Sequence, residues 1–434
     1  IIVIFGFAKN GFFFSKIFKL NEIIFFFADD NNYIINKKKI VSFSNSFFFF
    51  TFFIKKIYFI VVSPGINLSN YLINLFFILK IPILSDLEFV NWFYKNLFFI
   101  CVTGTNGKTT TSIFINNIFI FFKKFSFLSG NIGNPISKIF LKNFFYDFIL
   151  LELSSYQIEI IYYIKFLFFF LTNLSCDHLE RYCNLNVYYF YKKIVFNFVL
   201  SEGCSFYNLK DNILFFLSNS FIFFINFKFR MFFFFKNFFL LKYFNNFFTY
   251  KLFCYSLKRN YFNFIIIFFF ISFLNLKKYF YIFLKFKNAK YRINMKKNFF
   301  FFLINDSKST NFNSLFYLLN FSFNQIYLII GGVFKVYDNF FFLLKFIFWR
   351  KINLFLIYNN SLFMFNFFNF FKTKVFFLRN LSFFFLFLVN FLYFRPKIFF
   401  SPSSSSLGIF RNYINRAKVF NFYFKIFCNF IIEK

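Results

Sequence analysis

Residues Val102–Thr111, VTGTNGKTTT, gather two glycines, one lysine and five threonines in a chain that elsewhere runs to Phe, Ile, Asn and Lys. An apolar run, LFFIC, precedes the segment and SIFINNIF follows it, which predicts strand, loop and helix in that order. Glycines at 104 and 107 let loop amides approach a phosphate closely, and the helix start adds its positive dipole end. Lys108 would reach the β- and γ-phosphates of a nucleotide, and Thr109 would present its hydroxyl to Mg²⁺. The general phosphate-loop pattern has another glycine where Val102 stands, so the signal is a variant form.

Other chemistry-bearing residues lie farther along. Glu152 closes an apolar run and precedes two serines; a carboxylate at a strand end facing a phosphate loop can hold Mg²⁺. His178 is the single histidine among 434 residues and follows Asp177. The segment NDSKSTN (305–311) supplies Asp306, Lys308 and Thr310, and SPSSSSL (401–407) supplies a serine run. A dicarboxylate ligand needs cations and hydroxyls of this kind. The serine run sits between the apolar IFF and a helix-like GIFRNYINRAKVF, which predicts an anion-binding helix start.

The elements that position these residues read as an open α/β sheet pattern, apolar runs each followed by a polar loop. The opening IIVIFGFAKNG, a helix over Phe12–Leu20, the run EIIFFF and the pair Asp29-Asp30 form a βαβ-like start. YFIVVSPGIN ends in a Pro64-Gly65 turn. Further strands are expected over Tyr146–Leu153 and Phe166–Leu174. A boundary near Asn91–Asn96 and another near Lys287 divide the chain into 1–92, 93–286 and 287–434.

Composition excludes several classes. Phe occurs 104 times and aromatics reach 31 %, with a net charge of +35 from 50 Lys+Arg against 15 Asp+Glu. The basic residues are scattered singly and in pairs without a concentrated arm, which argues for a solvated basic surface and against a nucleic-acid partner. The longest apolar stretches, Phe262–Leu274 and Phe383–Phe394, fall short of the ~20 residues of a spanning helix and contain Asn; they are expected as core strands or helices. Six dispersed cysteines without a CxxC pair argue against structural zinc and a disulfide framework, and for a reducing, cytoplasmic setting.

TGTNGKTTT resembles the nucleotide loop of the Mur ligase family, and seven further blocks in order strengthen the resemblance: SPGI (63–66), GNIGNP (130–135), LELSSYQIE (151–159), TNLSCDHLERY (172–182), NDSKSTN, GG...K (Gly331, Gly332, Lys335) and SPSSSSL. They cover nearly the whole chain. The resemblance implies three domains: a Rossmann-like first domain for a UDP-sugar, a central P-loop ATPase-like domain with a mostly parallel sheet, and a Rossmann-like third domain for the amino acid. It implies an ATP-dependent ligase of peptidoglycan precursor synthesis, adding D-glutamate to UDP-N-acetylmuramoyl-L-alanine through an acyl phosphate. It implies a monomer, two Mg²⁺ and a lysine carbamylated by CO₂. Tyr-x-x-x-Lys-x-x-Val-Phe selects Lys192, with Lys193 one residue away.

Residue by residue, the resemblance places Lys108, Glu152, His178 and Lys192 in catalysis, and Thr109, Glu152, His178 and Lys192 on metal. It places Gly104, Thr105, Asn106, Gly107, Thr110, Asn260, Asn263, Arg292 and Asp306 on ATP, with Arg259 where a histidine is usual. It places Asp29, Ser63, Gly65, Asn131, Ser154, Gln157, Lys308, Thr310, Lys335, Ser406, Leu407 and Tyr413 at the substrates. Two readings compete: a related Mur or folylpolyglutamate-type ligase with another amino acid, and a decayed homologue without activity.

Overall fold

The computed structural model describes residues 1–6, 9–29, 41–42, 56–63, 66, 70–141, 145–207, 230–231, 291–297, 300–320, 325–334, 340–358, 362–389, 395–406 and 409–433. These fall into two compact units, residues 1–231 and residues 291–433. The architecture is α/β, with three sheets and one domain built on each.

In the first sheet, β1 (Ile2–Phe5), β2 (Phe25–Asp29), β3 (Val41–Ser42), β4 (Phe59–Val62) and β5 (Ile83–Ser85) run parallel in the order β3-β2-β1-β4-β5. The order reverses between β1 and β4, the position where open α/β sheets leave a crevice at their carboxyl ends. Helices α1 (Lys9–Leu20), α2 (Tyr71–Ile78) and α3 (Asp86–Phe93) connect the strands. Gly6 ends β1 at φ +91°, and a Cβ there would lie 2.8 Å from that of Ser63, so only glycine lets these two strand ends meet.

The central sheet has the order β11-β10-β9-β6-β8-β7, all parallel: β6 (Phe98–Thr103), β7 (Ser126–Gly130), β8 (Phe148–Glu152), β9 (Phe166–Leu171), β10 (Val199–Tyr207) and β11 (Arg230–Met231). Strands β6, β8 and β9 are almost wholly apolar, as strands covered on both faces must be. Helices α4 (Lys108–Phe121), α5 (Ser155–Ile158), α6 (Leu179–Tyr182) and α7 (Leu185–Lys193) belong to this domain.

Two carboxylates of α3 tie the first two domains together. Glu88 is sealed from solvent, and its Oε1 accepts from the backbone N–H groups of Tyr162, Tyr163 and Ile164 at 2.8, 2.9 and 3.1 Å. Asp86 is equally buried; it accepts from Leu87 N and from the Asn10 amide. The carbonyl of Asn10 in turn accepts from Ser137 Oγ of the central domain.

The third sheet has the order β12-β13-β17-β14-β15-β16, where β12 (Asn294–Lys297) is antiparallel to β13 (Phe302–Asn305). β14 (Ile326–Gly331), β15 (Asn353–Ile357), β16 (Val375–Leu378) and β17 (Lys397–Phe400) complete a parallel set. Insertion of β17 between β13 and β14 brings three loops to one edge: 306–311, 331–334 and 401–406. Helices α8 (Phe312–Asn320), α9 (Phe340–Arg350), α10 (Leu362–Phe370), α11 (Leu381–Val389) and α12 (Tyr413–Glu433) cover the sheet.

Several boundaries move against the sequence expectation. The strands at 148–152 and 166–171 stop short because their loops turn into the site. The apolar stretch from Phe383 is helical through Val389, with Phe384, Phe385 and Leu388 in the core. No helix among the described residues is long and apolar enough to cross a membrane. Phe262–Leu274 lies outside the described residues.

Candidate active site

The glycine loop leaves β6 at Thr103 and enters α4 at Lys108. Gly104 takes φ +137°, and a Cβ there would strike Thr172 Oγ1 at 2.1 Å; Gly107 takes φ +88° as the helix N-cap. The stretch after β9 clasps the loop. Asn173 pairs its amide with both backbone groups of Asn106, accepting from N at 2.9 Å and donating to O at 2.8 Å. Thr172 Oγ1 donates to Asn106 O at 2.7 Å, and Thr105 N donates to Asn173 O at 2.9 Å. Lys108 Nζ lies over the loop and donates to the carbonyls of Gly104 and Thr105 at 2.7 and 2.9 Å.

Glu152, 1 % exposed at the end of β8, meets this loop. Its Oε1 accepts from Thr109 Oγ1 at 3.3 Å and from Asn131 Nδ2 at 3.1 Å. Its Oε2 is buried without a hydrogen-bond partner, a costly state for a carboxylate oxygen unless a cation meets it. The donor set, a threonine hydroxyl beside a half-satisfied carboxylate, fits Mg²⁺, which takes one or two protein oxygens and completes its shell with phosphate and water. Among the described residues no three His, Cys, Asp or Glu side chains form a ready-made metal cluster.

Lys192 ends α7 with its side chain sealed at 1 % exposure. Its Nζ reaches Thr103 Oγ1 only at 3.5 Å and lies 4.9 Å over the Tyr188 ring. Burial, and then the charge of Lys108, hold its amine well below the usual lysine range. Lys193 is half-buried, and burial lowers it too. Tyr188 links the cluster, its hydroxyl 3.1 Å from Thr105 Oγ1 and its ring 6.0 Å from that of His178.

His178 sits at φ +55°, with Nδ1 2.8 Å from Tyr156 Oη and 3.2 Å from Glu180 Oε1. Behind it Arg181 donates to Glu159 at 2.6 Å and lies over the Tyr156 ring, and Tyr182 donates to the same carboxylate. Ser154 and Gln157 form a capping box on α5, so their polar atoms serve each other. Thr110 is buried inside the first turn of α4.

In the first domain, Asp29 and Ser63 lie at the carboxyl ends of β2 and β4 on either side of Gly6, whose carbonyl accepts from Ser63 Oγ at 3.1 Å. In the third domain, Arg292 NH1 stands 3.7 Å from Asp306 Oδ1, pairing two of the residues expected on the nucleotide. Lys308 Nζ lies 5.1 Å over the Tyr413 ring. Thr310 is half-buried and Ser406 buried. The serines are not a helix start: α12 begins only at Tyr413, and Ser401, Ser403 and Ser404 are fully buried in the loop before it. Gly65, Arg259, Asn260, Asn263, Lys335 and Leu407 lie outside the described residues.

Reasoning from sequence overlooks three residues that the geometry brings forward: Asn173, Tyr156 and Arg416. Asn173 and Tyr156 sit inside blocks already singled out, but nothing in their types marks them. Arg416 carries a legible sign, since it heads the stripe Arg416-Phe420-Phe424 at helical spacing on the buried face of α12.

Residues 102–230 match the Mur ligase middle domain. The UDP-N-acetylmuramoylalanine–D-glutamate ligase of Rickettsia prowazekii is 33 % identical over 153 residues, 35 % of this chain and 34 % of that protein. The enzyme of the same name from Elusimicrobium minutum is 34 % identical over 160 residues, 35 % of each. The matched stretch thus spans about a third of these relatives' length. Two solved structures share the fold. The MurF ligase of Thermotoga maritima in complex with ADP gives a TM-score of 0.56 at 12 % identity, over 86 % of this chain and 92 % of that one. The UDP-N-acetylmuramate–alanine ligase of the same organism gives 0.53 at 12 % identity, over 98 % and 99 %. Residues 102–230 thus resemble a Mur ligase middle domain, and the fold around them is one that these two solved ligases share.

Proposed function

We propose that the chain is an ATP-dependent ligase that joins D-glutamate to UDP-N-acetylmuramoyl-L-alanine, forming an amide, ADP and phosphate. The observation that carries this reading is the contact of Thr109 with Glu152 beside a glycine loop, with one carboxylate oxygen left open. The names of the curated relatives support the choice of D-glutamate.

In this reading the loop amides from Gly104 to Lys108 hold the nucleotide phosphates, and Lys108 swings from the carbonyls of its own loop onto the transferred phosphoryl group. Phosphoryl transfer is mainly positioning and charge neutralisation, so a rigid loop is the main requirement. Asn173 and Thr172 supply that rigidity. Bound Mg²⁺ would neutralise phosphate charge, with Thr109 and Glu152 holding one ion and His178 with Lys192 helping to hold a second. Lys192 reacts with CO₂ only as the neutral amine, and its burial favours that form. Its carbamate would be anionic and able to face the cations of this site.

Asp29, Ser63 and the segment around Gly65 would take the UDP-sugar. Arg292 and Asp306, with Asn260 and Asn263, would take the nucleoside. Lys308, Thr310, Lys335, Ser406, Leu407 and Tyr413 would hold the two carboxylates of D-glutamate. We place the working domains at 1–92, 93–286 and 287–434, and the protein as a cytoplasmic monomer without nucleic-acid or membrane partners.

Phosphate release is the test, measured with Mg-ATP and UDP-N-acetylmuramoyl-L-alanine, with and without D-glutamate. Release that requires D-glutamate and disappears in Lys108→Ala is expected. Release driven equally by another amino acid would reassign the substrate.

A further inference from the structure

The strongest unassigned feature of the third domain is Arg416. It is wholly buried in the first turn of α12, yet among the described residues no carboxylate is bonded to it. Its guanidinium donates to three backbone carbonyls, Ser404 O from NH1 and Ser307 O and Ser309 O from NH2, each at 2.9 Å. Two of these carbonyls belong to the loop after β13 and one to the loop after β17. These are the loops that carry Lys308, Thr310 and Ser406. The nearest carboxylate in its field, Asp306, stands by Arg292.

The side chain is anchored from behind. Phe420, one turn along α12, stacks on Phe400 at the end of β17, with ring centroids 4.0 Å apart and planes within 4°. The carbonyls it binds also fix the direction of their peptide planes. In a trans peptide the N–H of the next residue points away from the preceding carbonyl. The amides of Lys308, Thr310 and Ser405 are therefore turned away from the guanidinium; those of Lys308 and Ser405 donate to Tyr291 O and Val333 O. Gly332, at φ +135°, lets the third loop close on this pair: a Cβ there would meet Ser404 Oγ at 2.2 Å.

We propose that Arg416 is the positioning residue of the amino-acid site: it locks the loops after β13 and β17 into one arrangement and keeps a positive charge behind them that selects an amino acid bearing two carboxylates. This rests on the ligase reading above for the substrate, but the clamp itself does not. A fixed charge that carbonyl dipoles satisfy without cancelling is a field aimed at an incoming anion, and its effect falls most on the ligand that these two loops hold, since Coulomb attraction weakens with distance.

The test compares wild type, Arg416→Gln and Arg416→Lys in the full chain. Phosphate-release kinetics would be run against D-glutamate and against ATP, and amide hydrogen exchange without any ligand. In Arg416→Gln the KM for D-glutamate is expected to rise about tenfold or more while that for ATP stays within about twofold. Exchange should quicken across 307–310 and 401–406 and stay slow in the rest of α12. Arg416→Lys, which keeps the charge but not the fork, should restore part of the KM and little of the protection. An unchanged KM for D-glutamate, or an equal rise for both substrates, overturns the inference. A wild type inert with D-glutamate is the failure of the ligase reading alone; hydrogen exchange then decides, and unaltered protection of both loops in Arg416→Gln overturns the clamp. Should the Gln variant not fold, the Lys variant decides by the same readouts.

Discussion

Lys192 and Arg416 are both basic side chains sealed from water, one in the central domain and one in the third, and their surroundings treat them oppositely. Lys192 Nζ reaches Thr103 Oγ1 only at 3.5 Å, and burial holds its amine well below the usual lysine range. Around Arg416 three carbonyls converge at 2.9 Å. Burial lowers its guanidinium only to about 10, which leaves it charged at neutral pH. The difference follows from what each group can do. An ammonium is a compact charge that shifts readily when buried, whereas the planar fork of arginine retains its charge and spreads it over several acceptors. One surrounding disfavours the charge of its amine; the other holds its guanidinium as a strut.

The largest effect that would break this contrast lies at Lys192. Lys192→Met should cut turnover by a factor on the order of 1000 with little change in melting temperature, since an apolar chain of similar length fills the same buried space. With ¹³C-labelled bicarbonate, one carbamate resonance should appear in wild type and in Lys193→Met and vanish in Lys192→Met. A signal that follows Lys193 would undo the assignment. Arg416→Met should do the reverse and lower folding stability by about 3 kcal/mol, because three buried carbonyls lose their donor. Denaturant titration reads this directly.

Asp86 supplies the anionic case. Burial, opposed by the hydrogen bonds from Leu87 and Asn10, lifts its carboxyl to about 7. A carboxyl raised on folding stabilises below its unfolded pKa, and that contribution is lost as pH climbs through the folded value. Stability should therefore fall by up to about 4 kcal/mol from pH 4 to pH 7 through this group, and Asp86→Asn should flatten that slope. The smallest effect is expected at Tyr188→Phe, about 1 kcal/mol from the lost bond to Thr105, seen as a slightly lower melting temperature.

The fold is legible in the sequence where composition breaks its own habit. Against a background of Phe and Ile, the glycines at 104, 107, 331 and 332 and the acids at 29, 152 and 306 mark strand ends and the loops that follow them. The start of α12 is not legible in this way. GIFRNYINRAKVF carries helical spacing from its first residue, yet α12 begins at Tyr413, where Arg416 in its first turn meets Ser404 O. Thr109 and Glu152 are recoverable because their types are diagnostic at a phosphate loop. Asn173 is not, since its work is to imitate backbone, and any short polar residue looks the same in a sequence.

Glu88 carries a consequence for how the molecule melts. Three amides from the turn before β9 depend on one carboxyl oxygen rooted in α3, so the first sheet cannot open while that turn holds its place without leaving three amide donors unpaired. Two domains joined in this way should lose structure together, so the first two sheets are expected to melt as one cooperative block although each has its own core.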